Sequence, residues 1–287
     1  MLACEKSESI VDFPIYPSKL VLNCIFNGDS LWRFQVSKSL SVLDNSDIKF
    51  IDTAIIKLYE NDILVEEIGQ SQSDGIYFGN TMPKSGKQYR VEVSSGASFS
   101  NILSEGSLPA LAQIDQINYT IIDSQYYDDE WGYSYGYMDV EFNIEIQDDA
   151  AVNNFYSIIA YYLDTLFIDD SSSYEVYLQK LDIASDDIFI DEASDWNEVI
   201  FTDELFNGQK ISIKINSDIQ SYQPGMVIYW TLINHSEDYF MYKKTFNVYQ
   251  SVEGNPFAEP VQVFSNIKNG YGIFAGYSHS ITTFQLP

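Results

Sequence analysis

The chain has 287 residues, room for one large domain or two ordinary ones, and 45% of them are apolar, enough for a packed core. Its 42 acidic and 15 basic side chains leave a formal charge of −27, a field that repels phosphate backbones and anionic headgroups and so speaks against nucleic-acid binding. The same field suits divalent cations, basic partners or neutral sugars, and without any partner it serves solubility.

No apolar run approaches the roughly eighteen residues of a membrane-spanning helix. The start of the chain points to the membrane in another way. Met1-Leu2-Ala3-Cys4 sets a small residue directly before a cysteine, and polar Glu5-Lys6-Ser7-Glu8 follows. This resembles the end of a bacterial lipoprotein signal, the lipobox, without the charged and apolar regions of such a signal, and it implies a lipid on Cys4. Residues 5–18, which include Pro14 and Pro17, read as a tether. With Cys4 lipidated, Cys24 has no disulfide partner and reads as a small buried core residue within an apolar run.

Strand-like alternation begins near Leu20 and returns at 31–36, 54–59, 63–65, 76–78 and 88–93, with turn chemistry at Asn61-Asp62 and Gly86. Short strands at about ten-residue spacing indicate a β-sandwich of immunoglobulin or transthyretin type over residues 19–108, left through a linker containing Pro109. Residues 109–287 then read as a second strand-rich domain, with candidate strands at 117–122, 137–146, 155–163, 174–181, 210–215 and 226–233. The fold class expected is therefore mainly β. One helix is well marked near 236–250: Ser236 is a suitable N-cap, Glu237 and Asp238 occupy the positively polarised first turn, and Gly254-Asn255-Pro256 stops it. Tyr239, Tyr242, Phe246 and Tyr249 recur at three- and four-residue spacing, which suggests a lid laid on a sheet.

Catalytic signals are sparse. His235 and His279 are the two histidines, and Gly276-Tyr277-Ser278-His279-Ser280 begins like a nucleophile elbow but lacks its closing glycine. Zinc-protease, phosphate-loop and dinucleotide motifs are missing, so the chain reads as a non-enzyme with no cofactor. A pair of carboxylates for glycoside hydrolysis stays open as an alternative, since such pairs are set by space and not by sequence. Two features suggest binding. If Trp131 to Tyr137 is extended, Trp131, Tyr133, Tyr135 and Tyr137 share one face, a ladder of rings suited to stacking on sugar or protein; the competing reading is a buried stripe or a long hairpin. Acidic clusters, chiefly Asp186, Asp187 and Asp191, offer oxygens to calcium, although none follows the EF-hand pattern and solvated loop charge is the simpler reading.

The most specific stretches are Phe201-Thr202-Asp203-Glu204-Leu205-Phe206-Asn207-Gly208 and the long run from Asn255 to Ser278. They resemble signature stretches of a large family of Bacteroidota lipoproteins, catalogued as domain of unknown function 4249. In the long run, which includes Asn255, Phe257 and Phe274, Pro256 and Pro260 fix an extended course, Gly270, Gly272 and Gly276 permit turns or close backbone contact, and Asn266 and Asn269 can satisfy backbone groups in a tight loop. The resemblance carries no catalytic residues. It implies a lipid-anchored outer-membrane protein beside a TonB-dependent transporter, in capture of a glycan or peptide nutrient or in complex assembly. A polysaccharide hydrolase and a calcium-stabilised adhesion module are the alternatives.

Overall fold

A computed structural model describes residues 17–41, 44, 46–128, 134–168, 173–191, 197–220, 222–252, 255, 258–259 and 261–287. In chain order, the first part contributes β1 (Leu20–Phe26), β2 (Arg33–Lys38), β3 (Lys49–Phe50), β4 (Ile55–Glu60), β5 (Ile63–Ile68), β6 (Ser71–Ser73), β7 (Ile76–Phe78), β8 (Lys87–Ser94) and β9 (Ile102–Leu108). The second part contributes β10 (Ile114–Asp128), β11 (Ser134–Gln147), β12 (Phe155–Ile168), β13 (Ser173–Lys180), β14 (Val199–Thr202), β15 (Lys210–Ile219), β16 (Val227–His235), α1 (Glu237–Val252) and β17 (Tyr271–Gln285). The molecule is mainly β, with a sandwich-like arrangement of several sheets.

One large sheet runs in the order β13-β12-β16-β17-β1-β2-β7-β6, with β14 added to β12 and β3 to β2. A four-stranded sheet, β5-β4-β8-β9, covers one part of it, and a three-stranded sheet, β10-β11-β15, covers the other. Two cores result. The first is aromatic: Phe26, Trp32, Phe34, Tyr89 and Phe274 lie within 4.7–6.5 Å of one another, ring centre to ring centre, along their contacts. Cys24 is buried among these residues, and desolvation pushes its thiol far above the ordinary range, which makes it inert packing.

The second core shows how plain alternation builds a sheet. Along β11, Met138, Val140, Phe142, Ile144 and Ile146 are buried, while Asp139, Glu141, Asn143 and Glu145 look outward. Phe142 meets Trp230 of β16 edge-on at 4.9 Å.

The two cores are joined by a single strand. Residues 271–276 of β17 pair in parallel with β1, and residues 277–285 pair antiparallel with β16. Phe274 and Ile267 therefore belong to the first core, although they lie more than 150 residues beyond β9 (the Ser104–Asn266 bond spans 162 residues). A sandwich expected from residues 19–108 is thus completed by the far end of the chain. Helix α1 covers the joint. The Ser236 Oγ accepts a hydrogen bond from the Tyr239 N–H at 3.4 Å, which caps the helix. Its deepest side chain is Phe240, packed on Phe155 at 5.0 Å, whereas Tyr249 at the far end is exposed.

Candidate functional site

Buried residues on β12, β16 and β17 identify which face of the large sheet looks away from the second core. Tyr156, Ile158 and Ala160 point inward, so Ser157, Ile159 and Tyr161 point outward, and β16 and β17 follow the same parity. The outward rungs are Phe155–His235–Tyr277, Ser157–Ile233–His279, Ile159–Thr231–Ile281 and Tyr161–Tyr229–Thr283. Helix α1 covers the first rung, with Tyr239 stacked on Tyr277 at 5.5 Å and against the His235 ring at 5.1 Å. Beyond the helix the face is open. A groove of about 310 Å³ runs between Ile159, Leu178, Thr231 and Ile281, and no acidic residue lines it. Leu163 (52% exposed), Val176 (53%), Leu178 (56%) and Ile281 (59%) continue the apolar surface to β13. In a chain so rich in acid, an apolar strip across four strands is the feature that a packed monomer does not require.

Beneath the helix lies a pair with the look of chemistry. The Ser157 Oγ and the His235 Nε2 are 2.8 Å apart, a nucleophile–base distance, and neither residue was brought together by any motif in the sequence. Both are buried, however, and the His235 Nδ1 has no hydrogen-bond partner to hold a tautomer. Desolvation, aided by the Lys243 charge, holds the imidazole well below its ordinary pKa, so it is neutral. With Tyr239 over the ring, Ser157 has no path to a substrate, and the pair serves to satisfy two buried polar groups. The elbow-like stretch is likewise plain strand: the Ser278 hydroxyl donates to the Ala110 carbonyl at 2.8 Å.

The residues singled out in the sequence are spread over several places. Cys4, Trp131, Tyr133, Pro256, Phe257 and Pro260 lie outside the described residues. Tyr135 stands opposite Tyr127 in the β10–β11 ladder. Tyr137 faces outward on β11, and its hydroxyl donates to the Asp123 carboxylate at 2.8 Å, a bond that raises the phenol's pKa. That corner forms a hollow of about 420 Å³ lined by Asp123, Tyr137, Asp139, Asp218 and Gln220. Asp187 accepts the Lys214 backbone N–H at 2.7 Å and Asp191 pairs with Lys244 at 2.8 Å, while Asp186 adds to neither. Among the described residues no three His, Cys, Asp or Glu side chains come together as a metal site.

The long motif works as a splice between the sandwiches. The Asn266 Nδ2 donates to the carbonyls of Phe274 (2.8 Å) and Glu105 (3.2 Å) and to the Asp238 carboxylate (2.9 Å), and its Oδ1 accepts the Phe274 N–H at 3.0 Å. One side chain thus ties β17, β9 and α1. Gly272 has φ +106°, and a Cβ there would overlap the Leu22 carbonyl oxygen. Gly270 lies against the Leu20 carbonyl, and the Asn255 carbonyl accepts the Ala258 N–H at 3.2 Å. The shorter motif seals the second core. Asp203 is buried and accepts the Asn154 N–H at 2.8 Å, and the Gly208 N–H donates to Asp148 at 2.7 Å.

Comparison with known proteins adds the family. No curated protein matches the chain. Among solved structures, the C-terminal domain of the AgI/II polypeptide BspA of Streptococcus agalactiae is 8% identical, with 77% of this chain and 96% of that chain covered and a TM-score of 0.20. A structure of manganese lipoxygenase of Gaeumannomyces graminis with partial zonadhesin of Komagataella pastoris is 8% identical, covering 77% and 90% at a TM-score of 0.19. The collagen adhesin of S. aureus is 9% identical, covering 93% of each chain at a TM-score of 0.17. Scores of this size say nothing about a site or a partner. The family match is of another order: it runs from residue 7 to residue 283, through both sandwiches and the splice between them, and the chain belongs to the family described as domain of unknown function DUF4249.

Proposed function

We propose that the protein is a non-catalytic docking module of the cell envelope, anchored at the outer membrane by lipid on Cys4, that works beside a TonB-dependent transporter. Its task is capture of a glycan or peptide nutrient, or assembly of the transporter complex. The observation that carries this reading is the open outer face of the large sheet, where Leu163, Leu178 and Ile281 are exposed around an acid-free groove. Surfaces of this kind on an otherwise polar protein are sites of association. The surrounding acidic field adds orientation and speed of encounter with a basic-rimmed partner.

The test is a mild-detergent pull-down of the full-length lipidated protein from its native membrane, beside Ile281→Lys and Cys4→Ala variants. Near-equal recovery of a TonB-dependent barrel with the wild type, and its loss with Ile281→Lys, is the expected result. Recovery of the wild-type protein alone would sink the reading.

A further inference from the structure

Sheet edges are the places where one chain can borrow backbone hydrogen bonds from another, and folded proteins blunt them with charge, bulges, short strands or cover. Most described edges of this molecule are blunted in these ways. β6 is three residues long, and β9 is bridged by Lys268 through Leu103. β5 carries Glu66 and Glu67 and its pairing shifts register at Leu58/Tyr59. β10 shifts register twice, at Ile114/Gln116 and Ile121/Asp123. β15 is capped by the Ala184–Asn216 bridge and β14 by the Ile190–Phe201 bridge.

β13 has no bulge and no described cover, and its two charged residues, Glu175 and Lys180, leave the stretch between them uncharged. Among the described residues it pairs with β12 alone and ends the large sheet. Its register is unbroken over the whole ladder from Tyr161–Lys180 to Ile168–Ser173. From Val176 to Gln179 it has no charged residue, and Val176, Tyr177 and Leu178 are all exposed. Beyond Tyr162 its partner β12 has left β16 behind, so this hairpin extends past the rest of the sheet. Leu178 also lines the apolar groove, so a strand laid along β13 would find a place for alternate side chains beside a row of free backbone groups.

We infer that the free edge of β13 is a strand-addition site for an extended segment of a partner protein, one with alternating apolar residues and basic flanks. The alternation follows from the groove on one face of the added strand. The basic flanks follow from the −27 charge of the chain and from Glu175 beside the uncharged stretch Val176 to Gln179, and the same charge disfavours a second copy of this chain as the occupant. The inference deepens the docking reading and rests on it.

The probe is a peptide of alternating Val and Thr between terminal lysines, titrated by fluorescence anisotropy against the full chain in mild detergent. Two N-methylated versions, each blocking one alternate set of amides, separate backbone pairing from side-chain contact. The parent peptide should bind. One N-methylated version should lose affinity by about tenfold or more and the other by about twofold or less, since alternate amides face opposite sides of a strand. Leu178→Lys should weaken the parent peptide by about tenfold while the thermal midpoint of the protein stays unchanged. Absent binding, or equal binding by both N-methylated versions, overturns strand addition, as does a concentration-dependent dimer in sedimentation that Leu178→Lys dissolves. Peptide results of that kind beside a barrel recovered in the pull-down would sink strand addition alone, and no barrel would sink docking itself.

Discussion

The two halves of β17 lie in one strand and yet have opposite characters. Residues 271–276 run between β1 and the covering segment of Asn266 and α1, with Ile273, Phe274 and Ala275 all buried. Both faces of 273–275 are packed, and the backbone comes so close to its neighbours that only glycine fits at Gly272 and Gly276, where a Cβ would overlap the carbonyls of Leu22 and Ser107. Residues 277–285 have one face in the second core and the other on the open groove, and Ile281 there is exposed. A continuous apolar run thus fills the half of the strand with both faces covered, and the other half leaves Ile281 on a face that nothing described covers. Family signatures of this kind can report architecture more than a ligand, because a splice tolerates fewer substitutions than a surface.

Substitutions at the two halves should separate these roles. The largest effect is expected at Gly272→Val, which combines a positive φ with a backbone overlap; a loss of more than about 3 kcal/mol, read by denaturant unfolding, would leave little folded protein. A midpoint near that of the wild type would show that the splice bends freely. Phe274→Ala removes a ring shared by the aromatic core and should cost about 3–5 kcal/mol by the same measurement. Asn266→Leu leaves the Phe274 N–H and carbonyl without partners and should cost about 1–3 kcal/mol per stranded group, without changing the groove.

The pH dependence sharpens the comparison at the joint itself. His235 is held neutral in the fold, with its pKa well below the ordinary 6.5, so below that pH the unfolded chain takes up a proton that the folded chain refuses. Its contribution to stability is therefore present above about pH 6.5 and declines as pH falls, by about 1.4 kcal/mol per pH unit at most. Replacing His235 by Gln should flatten this slope between pH 6.5 and about pH 5; an unchanged slope in urea-unfolding curves would assign it to other groups. The smallest effect is expected at Ile281→Lys, on the open half. It should alter stability by less than about 0.5 kcal/mol, so any loss of a partner can be assigned to the surface.

Much of the fold was legible because alternation is local. The buried–exposed rhythm of β1, β8 and β11 is written directly in their side chains, and the helix starts at Ser236 as its cap chemistry indicates. The helix face was legible only in part. Spacing singled out Tyr239, Tyr242, Phe246 and Tyr249, yet the sheet below lies under Phe240 and Tyr239, and Tyr242, Phe246 and Tyr249 stack mainly on one another. Helical periodicity tells which residues share a side, and the position of the sheet decides how much of that side is used.

The site was the least legible part. Ile159, Leu178, Tyr229 and Ile281 look like ordinary core positions in the sequence, and nothing local distinguishes a strand face that is covered from one that is not. The Ser157–His235 contact was hidden in the same way, since its partners are 78 residues apart and meet only through the β12–β16 register.

By itself the sequence determined the class of structure, the acidic field, the cap of α1 and the positions where the chain needs glycine or asparagine, because these depend on side-chain chemistry and on neighbours a few residues away. Only the tertiary structure decided that β17 belongs to two sandwiches, that Asn266 ties them, and that β13 and its neighbours keep one apolar face and one edge open. Those features depend on which strands lie beside and above one another, and such pairings across the chain are set by the packing of the whole molecule and not by any stretch of it.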